Sequence, residues 1–435
     1  MSEQPRRPIV PHAVQELFGS ARFTAALTLA IIGTAFGTHL LLSTMGWPGL
    51  LGIVCGLVTL AAISLTTRRA SLDWRGLPPI SIIVFVGWCA ISVFWSNTTL
   101  TSVSRVLYLL AFAFLGVYVA LVRDTIQVVR SLGDVLRLLL VTSIVLEVLS
   151  GLLLDVPISF LGIQGDLADL GPIQGVFGTR NELGLISLVA LITFAIEFFT
   201  RSVPRGMGQF SIVLASACVL LSRSPVTLGA FAAAGVAALA LIGLRRVAAD
   251  SRWLWQLGLL GAAVLGAVVA WLARSRLIEL LNAGSEFEVR LSTWREMWRY
   301  MGANPLQGWG WVGEWPMSTP PYFWVNLATR RPQSSGLNAY LDVYFQVGLI
   351  GFIAFTALIG LALVRSWLLA SEKRSVVYFW PALVLVVLAA TSIAESTVLV
   401  GYGWMLLIMC SMKASQGMSW RDALRRHEHS PVPNE

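Results

Sequence analysis

Charge is what this chain has least of. Asp, Glu, Lys and Arg make up 12% of its 435 residues, where a soluble domain carries about a quarter. With 56% hydrophobic residues and a mean hydropathy of +0.74, that shortage excludes an ordinary water-soluble fold. Cysteine is scarce too. Cys55, Cys89, Cys218 and Cys410 all lie inside apolar runs without pairing or metal-ligand spacing, so they read as small buried hydrophobes. The polar parts hold no acidic cluster with metal-ligand spacing, and neither a metal nor another cofactor is expected. Histidine occurs only at His12, His39, His427 and His429. No small-residue cleavage site follows the first apolar run, whose predecessor is polar and contains proline, so that run reads as retained.

Long apolar runs, by contrast, are abundant. About twelve could cross the roughly 30 Å of a bilayer core: residues 23–45, 48–65, 77–95, 104–122, 132–154, 176–199, 207–222, 224–243, 254–273, 340–364, 376–394 and 396–412. Backbone groups in lipid must bond within their own segment, so continuous runs of this kind are helices. Only Ser222-Arg223-Ser224-Pro225 parts the seventh run from the eighth. The expected fold is all-α: a polytopic integral membrane protein with about twelve transmembrane helices and one large extracytoplasmic loop. Residues 1–22 form a cytoplasmic N-tail, 23–273 carry helices one to nine, and 274–337 form the loop. Residues 338–413 carry the last three helices, and 414–435 form a cytoplasmic C-tail.

Sidedness comes from basic residues. With the N-terminus in the cytoplasm, 21 of the 31 Lys and Arg residues fall on the inner side. The short outer connections are then nearly free of positive charge, which is the arrangement the positive-inside rule selects. Both termini are expected in the cytoplasm, and the net charge of +8 serves mostly to hold anionic membrane lipid rather than nucleic acid.

The outer loop is dense in Trp, Arg, Gly and Pro. Residues 289–301 have helical spacing, with Leu291, Trp294, Trp298 and Met301 on one stripe, and fit an amphipathic helix on the outer membrane face. Pro305 and Gly308 then break the pattern. The loop tryptophans are expected either as an interfacial belt or as stacking faces for sugar rings.

Ten arginines face outward on this reading. Arg105 opens the fourth span, Arg180 lies a few residues into the sixth, and Arg223 sits in the turn between the seventh and eighth. Ionisable residues at membrane depth are costly and point to function. Guanidinium suits phosphate oxygens because it is always charged and can bond bidentately. The alternatives are snorkelling for Arg105 and Arg223, and for Arg180 a buried pair with Glu182 or another acid.

Several segments resemble the O-antigen ligase and polymerase superfamily of the Wzy/WaaL type, most of all exopolysaccharide production proteins of the ExoQ kind. They are Ser92-Val93-Phe94-Trp95-Ser96 with Ser104-Arg105, Gly178-Thr179-Arg180-Asn181-Glu182-Leu183-Gly184, Leu221-Ser222-Arg223-Ser224, and Arg290 with Trp294. Asn304-Pro305-Leu306-Gln307-Gly308-Trp309-Gly310, Asn338-Ala339-Tyr340-Leu341-Asp342 with Gly348-Leu349-Ile350-Gly351, and Glu395-Ser396 complete the set. Family members usually carry a histidine immediately before the asparagine; here the position is Leu337. Leucine cannot take a proton, so Asp342, Glu314 or Glu395 becomes the candidate base, or the acceptor chemistry differs.

The resemblance implies transfer of a glycan from a polyprenyl-diphosphate carrier to a glycan or lipid acceptor at the outer face of a bacterial cytoplasmic membrane. It assigns Arg180, Arg290, Asp342 and Glu395 to catalysis. Arg105, Asn181, Arg223, Asn338, Tyr340 and Trp294 are assigned to substrate binding. Two other classes stay open. A lipid-linked oligosaccharide flippase would suit twelve spans and the buried acid Glu147, although no internal repeat of the usual carrier kind is visible. A scaffold in a cell-wall assembly complex would suit the missing histidine.

Overall fold

The computed structural model describes residues 18–68, 78–168, 171–280 and 284–417. Most of both tails, with most of the basic residues counted there, lies outside these ranges. Fifteen α-helices and no named strand occur among the described residues. In chain order they are α1 Ala21–Phe36, α2 Thr38–Thr67, α3 Ile80–Ile91, α4 Thr99–Val122 and α5 Thr125–Val148. There follow α6 Arg180–Phe199, α7 Arg205–Leu221, α8 Pro225–Arg246, α9 Arg252–Leu272 and α10 Arg274–Leu280. The last five are α11 Gly284–Met301, α12 Tyr322–Thr329, α13 Ala339–Glu372, α14 Phe379–Thr391 and α15 Gly401–Gly417.

Among the described residues, seven helices are long and apolar enough to cross a membrane, and four shorter apolar helices accompany them. The chain is an all-α, multi-pass membrane protein. Glycine and proline divide the apolar runs much as expected. Within α2 the helical path breaks at Gly46, whose φ of 68° suits a residue without Cβ, and Pro48 opens the next segment. The turn after α7 is tight because Ser224 caps α8 through the Thr227 N–H at 3.2 Å and Pro225 stands at its first position.

The core centres on α15, buried at every residue from Gly401 to Ala414. A helix that is apolar all round is stable only when enclosed or in lipid, and α9 takes the second solution: its apolar window has no buried residue. Glu147, the acid that favoured a carrier, is fully buried in α5 and accepts the N–H groups of Gln174 and Gly175 at 2.9 and 2.8 Å. It caps the turn that leads into α6.

The segment between α9 and α13 is folded rather than draped. Met297, Met301, Val312, Trp315, Tyr322, Val325 and Phe345 form its own small core. On α11 the buried face runs through Arg290, Thr293, Met297 and Met301, while Leu291 and Trp298 are exposed. The exposed Leu291 and Trp298 are members of the stripe expected to face the membrane, while Met301 joins the buried face. Among the loop tryptophans, Trp311 and Trp315 are core residues and only Trp298 and Trp324 are exposed, so an interfacial belt of all six is not what forms.

Backbone docking ties this segment to the membrane helices. α13 breaks at Val347 and Gly348, leaving donors and acceptors without helical partners. The loop supplies them: Leu349 N–H donates to Pro305 O at 2.9 Å, and Gly310 N–H donates to Gln346 O at 2.7 Å. A Cβ on Gly348 would stand 2.2 Å from Leu306 O, and one on Gly308 2.4 Å from Gln346 O. Two glycines let two backbones touch.

Candidate active site

Three distant segments meet beside the start of α6. Thr179 caps this helix through the Glu182 N–H at 3.2 Å, which makes Arg180 its first residue rather than one several positions inside. The Arg180 guanidinium pairs with Glu286 of α11. One turn on, Arg290 bonds the same Glu286 at 3.2 Å and Glu395, in the link between α14 and α15, at 2.8 Å. Its Nε also donates to Ala394 O at 3.1 Å. Asn181 completes the chain of contacts: its amide donates to Glu395 at 2.7 Å and its carbonyl accepts from the Ser224 hydroxyl at 2.7 Å.

The two arginines are not equivalent. The Arg290 side chain is 9% exposed and carries two carboxylate partners, whereas Arg180 is 35% exposed and shares one. Arg223 precedes Ser224 and is exposed, and its side chain makes no hydrogen bond or ion pair with another described residue. Arg180 and Arg223 are thus the more exposed of these cations, while Arg290 is enclosed between two carboxylates. Burial pushes the Glu395 carboxyl above the usual carboxylate range, against the pull of the Arg290 charge and the Asn181 amide.

Sequence reading placed other residues here that the structure puts to different use. Both carboxylate oxygens of Asp342 are occupied, by Trp315 Nε1 at 2.6 Å, Gln346 Nε2 at 3.0 Å and the Gly336 N–H at 3.0 Å. Fully buried, Asp342 pins the loop and is not placed to reach an acceptor. Trp294 donates through Nε1 to Gly336 O at 2.8 Å, and the Tyr340 hydroxyl bonds Ala389 O at 3.3 Å. Arg105 pairs with Glu314 at 3.3 Å and lies over the Trp47 ring. No hydrogen bond or ion pair among the described residues joins that pair to the Arg290 cluster.

Asn338 caps α13 through the Leu341 N–H at 3.0 Å and donates to Ile393 O at 2.9 Å. With the bond from Ala339 N–H to Glu395 O at 3.2 Å, this seats residues 337–339 against the Glu395 segment. Leu337 is half-buried there with a φ of 51°, a left-handed backbone that leucine rarely adopts.

Glu286 and Ser224 are the members that sequence reading missed. Glu286 lies four residues before Arg290, the spacing of a helical ion pair, so half of its role had a local signal. Its bond to Arg180 had none.

Residues 210–356 match the Wzy_C family, O-antigen ligase. The matched segment includes Ser224, Glu286, Arg290, Asn338 and Asp342. It supports the O-antigen ligase and polymerase superfamily, and with it a membrane glycan ligase or polymerase role. No curated protein matches the chain.

Proposed function

We propose, from the match of residues 210–356 to the O-antigen ligase family, that the chain transfers a glycan from a polyprenyl-diphosphate carrier to a hydroxyl of a glycan or lipid acceptor. The reaction takes place at the outer face of a bacterial cytoplasmic membrane, with both termini inside and residues 274–337 outside. The single observation that carries this reading is the Arg180–Glu286–Arg290–Glu395 chain of contacts at the α6 start.

The acceptor oxygen forms a bond to the anomeric carbon as the bond from that carbon to the diphosphate oxygen breaks. The acceptor proton goes to Glu395, whose carboxyl burial makes a stronger base than an ordinary glutamate. The leaving diphosphate gains charge, and Arg180, exchanging its Glu286 partner for phosphate oxygens, stabilises it together with Arg223. Arg290 and Asn181 act as positioning residues for Glu395. The proposal requires no metal and no other cofactor, and it includes the narrower kinship with exopolysaccharide production proteins. The scaffold reading gains nothing from Leu337 once Glu395 serves as base. The carrier reading loses its main support with Glu147 acting as a cap.

The test compares lipid-linked precursor in cells that depend on this chain for surface glycan. Arg180→Ala or Glu395→Gln should remove the product while precursor accumulates at the outer face. Accumulation at the inner face instead would make the chain a carrier.

A further inference from the structure

The ends of α6 and α8 remote from the candidate site border a groove that glycan transfer does not use. Its volume is about 530 Å³, within the roughly 300–1,000 Å³ of small-ligand sites. Ala195 and Phe199 of α6, Gly235 and Ala238 of α8, and Leu383 of α14 are among its walls, and Arg245 with Arg246 stands at one end. Counting α6 from Arg180 to Phe199 at 1.5 Å per residue puts that end about 29 Å from the candidate site, across the hydrocarbon layer.

The two arginines divide the work. Arg245 donates to the carbonyls of Ala370, Arg374 and Ser375 at 2.9, 3.2 and 2.9 Å and lies over the Phe379 ring. It is committed to holding α8 against α13 and α14. The Arg246 side chain is exposed and makes no hydrogen bond or ion pair with another described residue. The local surroundings are basic: Arg245, Arg246, Arg252, Lys373 and Arg374 stand against Asp250 and Glu372.

We propose that this groove is a binding site for an anionic phospholipid, with one acyl chain along its apolar walls and the phosphate on Arg246. A free guanidinium at the end of a hydrocarbon-lined trough matches a ligand that is apolar along its length and anionic at its head. Guanidinium bonds phosphate bidentately, and basic pockets between membrane helices hold anionic headgroups. A Cβ at Gly235 meets nothing within 4 Å, so the acyl channel is open there and a side chain can fill it without moving the helix.

The test is native mass spectrometry of the full chain in detergent, titrated with phosphatidylglycerol or with phosphatidylethanolamine of identical acyl chains. Phosphatidylglycerol should bind the wild type about fivefold more tightly, the contribution of one basic residue at an anionic surface. Arg246→Gln should abolish that preference. Arg130→Gln, on α5 and outside the groove, should keep it. Gly235→Phe should weaken both lipids while leaving Tm unchanged; should that variant not fold, Gly235→Leu makes the same test. Equal affinity for the two lipids would overturn the proposal. So would a preference that survives Arg246→Gln, equal loss in Arg130→Gln, or unaltered binding to the filled groove. Displacement of phosphatidylglycerol by an equal concentration of polyprenyl phosphate would also overturn it, assigning the groove to the carrier lipid.

Discussion

Arg290 and Glu395 stand 2.8 Å apart although 105 residues separate them in the chain. The pair sets a pH dependence with a definite sign. Burial raises the Glu395 pKa above its ordinary value and Arg290 lowers it. A base works only when deprotonated, so activity should fall with decreasing pH at a higher pH than an ordinary glutamate would dictate. Arg290→Gln removes the lowering charge and should move that acid limb further upward. Glu395→Gln should abolish turnover at every pH. The measurement is the pH profile of kcat/KM for glycan transfer in proteoliposomes, and an acid limb that stays put in Arg290→Gln would remove Glu395 from the role of base.

Arg180→Lys keeps the charge but loses the planar fork, while Arg180→Ala loses both. The alanine variant should reduce transfer by about a hundredfold, the loss typical of one charge-stabilising donor, with lysine restoring part of it. Arg223→Ala should weaken donor binding more than turnover, since Arg223 is exposed and unpaired among the described residues. Initial rates across a range of donor concentration separate the two effects.

Leu337 occupies a left-handed backbone conformation in which histidine is several-fold enriched. Leu337→His should therefore leave thermal stability unchanged or raise it by up to about 1 kcal/mol. It also adds a titratable group beside the Glu395 segment, so activity toward hydroxyl acceptors should be kept or increased. A clear drop in Tm would show that leucine packing, not backbone conformation, decides this position.

Gly348→Ala must place a methyl group 2.2 Å from Leu306 O at a φ of 68°. The loss should be at least about 2 kcal/mol from strain and overpacking. Limited proteolysis should then cut between residues 301 and 322, because the loop is tied down at this junction.

Sidedness can be checked directly. Ser318→Cys lies on an exposed part of the loop and Ala248→Cys in the exposed link before α9. A membrane-impermeant thiol reagent applied to intact cells should label the first and spare the second. The opposite pattern would invert the proposed orientation and with it every assigned role.

Hydropathy made the helices legible, because a membrane span must be apolar along its whole length whatever it packs against. The break at Ser222-Arg223-Ser224-Pro225 was equally readable, since the signal is local. Arg180, Arg290, Asn181 and Glu395 were reachable through their resemblance to family motifs. Glu286 was not, since its second partner is Arg180, 106 positions away. Asp342 was misjudged because nothing in the local sequence says that Trp315, Gln346 and Gly336 will occupy its oxygens. On α11 helical periodicity reported an apolar stripe, but not that the same helix would also bury Arg290.

The position of Glu395 in the chain also bears on biosynthesis. Arg180, Glu286 and Arg290 are all synthesised and inserted before the carboxylate that completes the cluster, which arrives with the last two helices. Until then Arg290 must remain hydrated or sit in a low-dielectric pocket short of one counter-charge, a defect that costs about 3–5 kcal/mol where a buried pair lacks its partner. A nascent or truncated chain ending before residue 395 therefore carries its own mark of incompleteness. Membrane quality-control proteases, which act on loosely assembled helices, would find such fragments easier to extract than the finished protein.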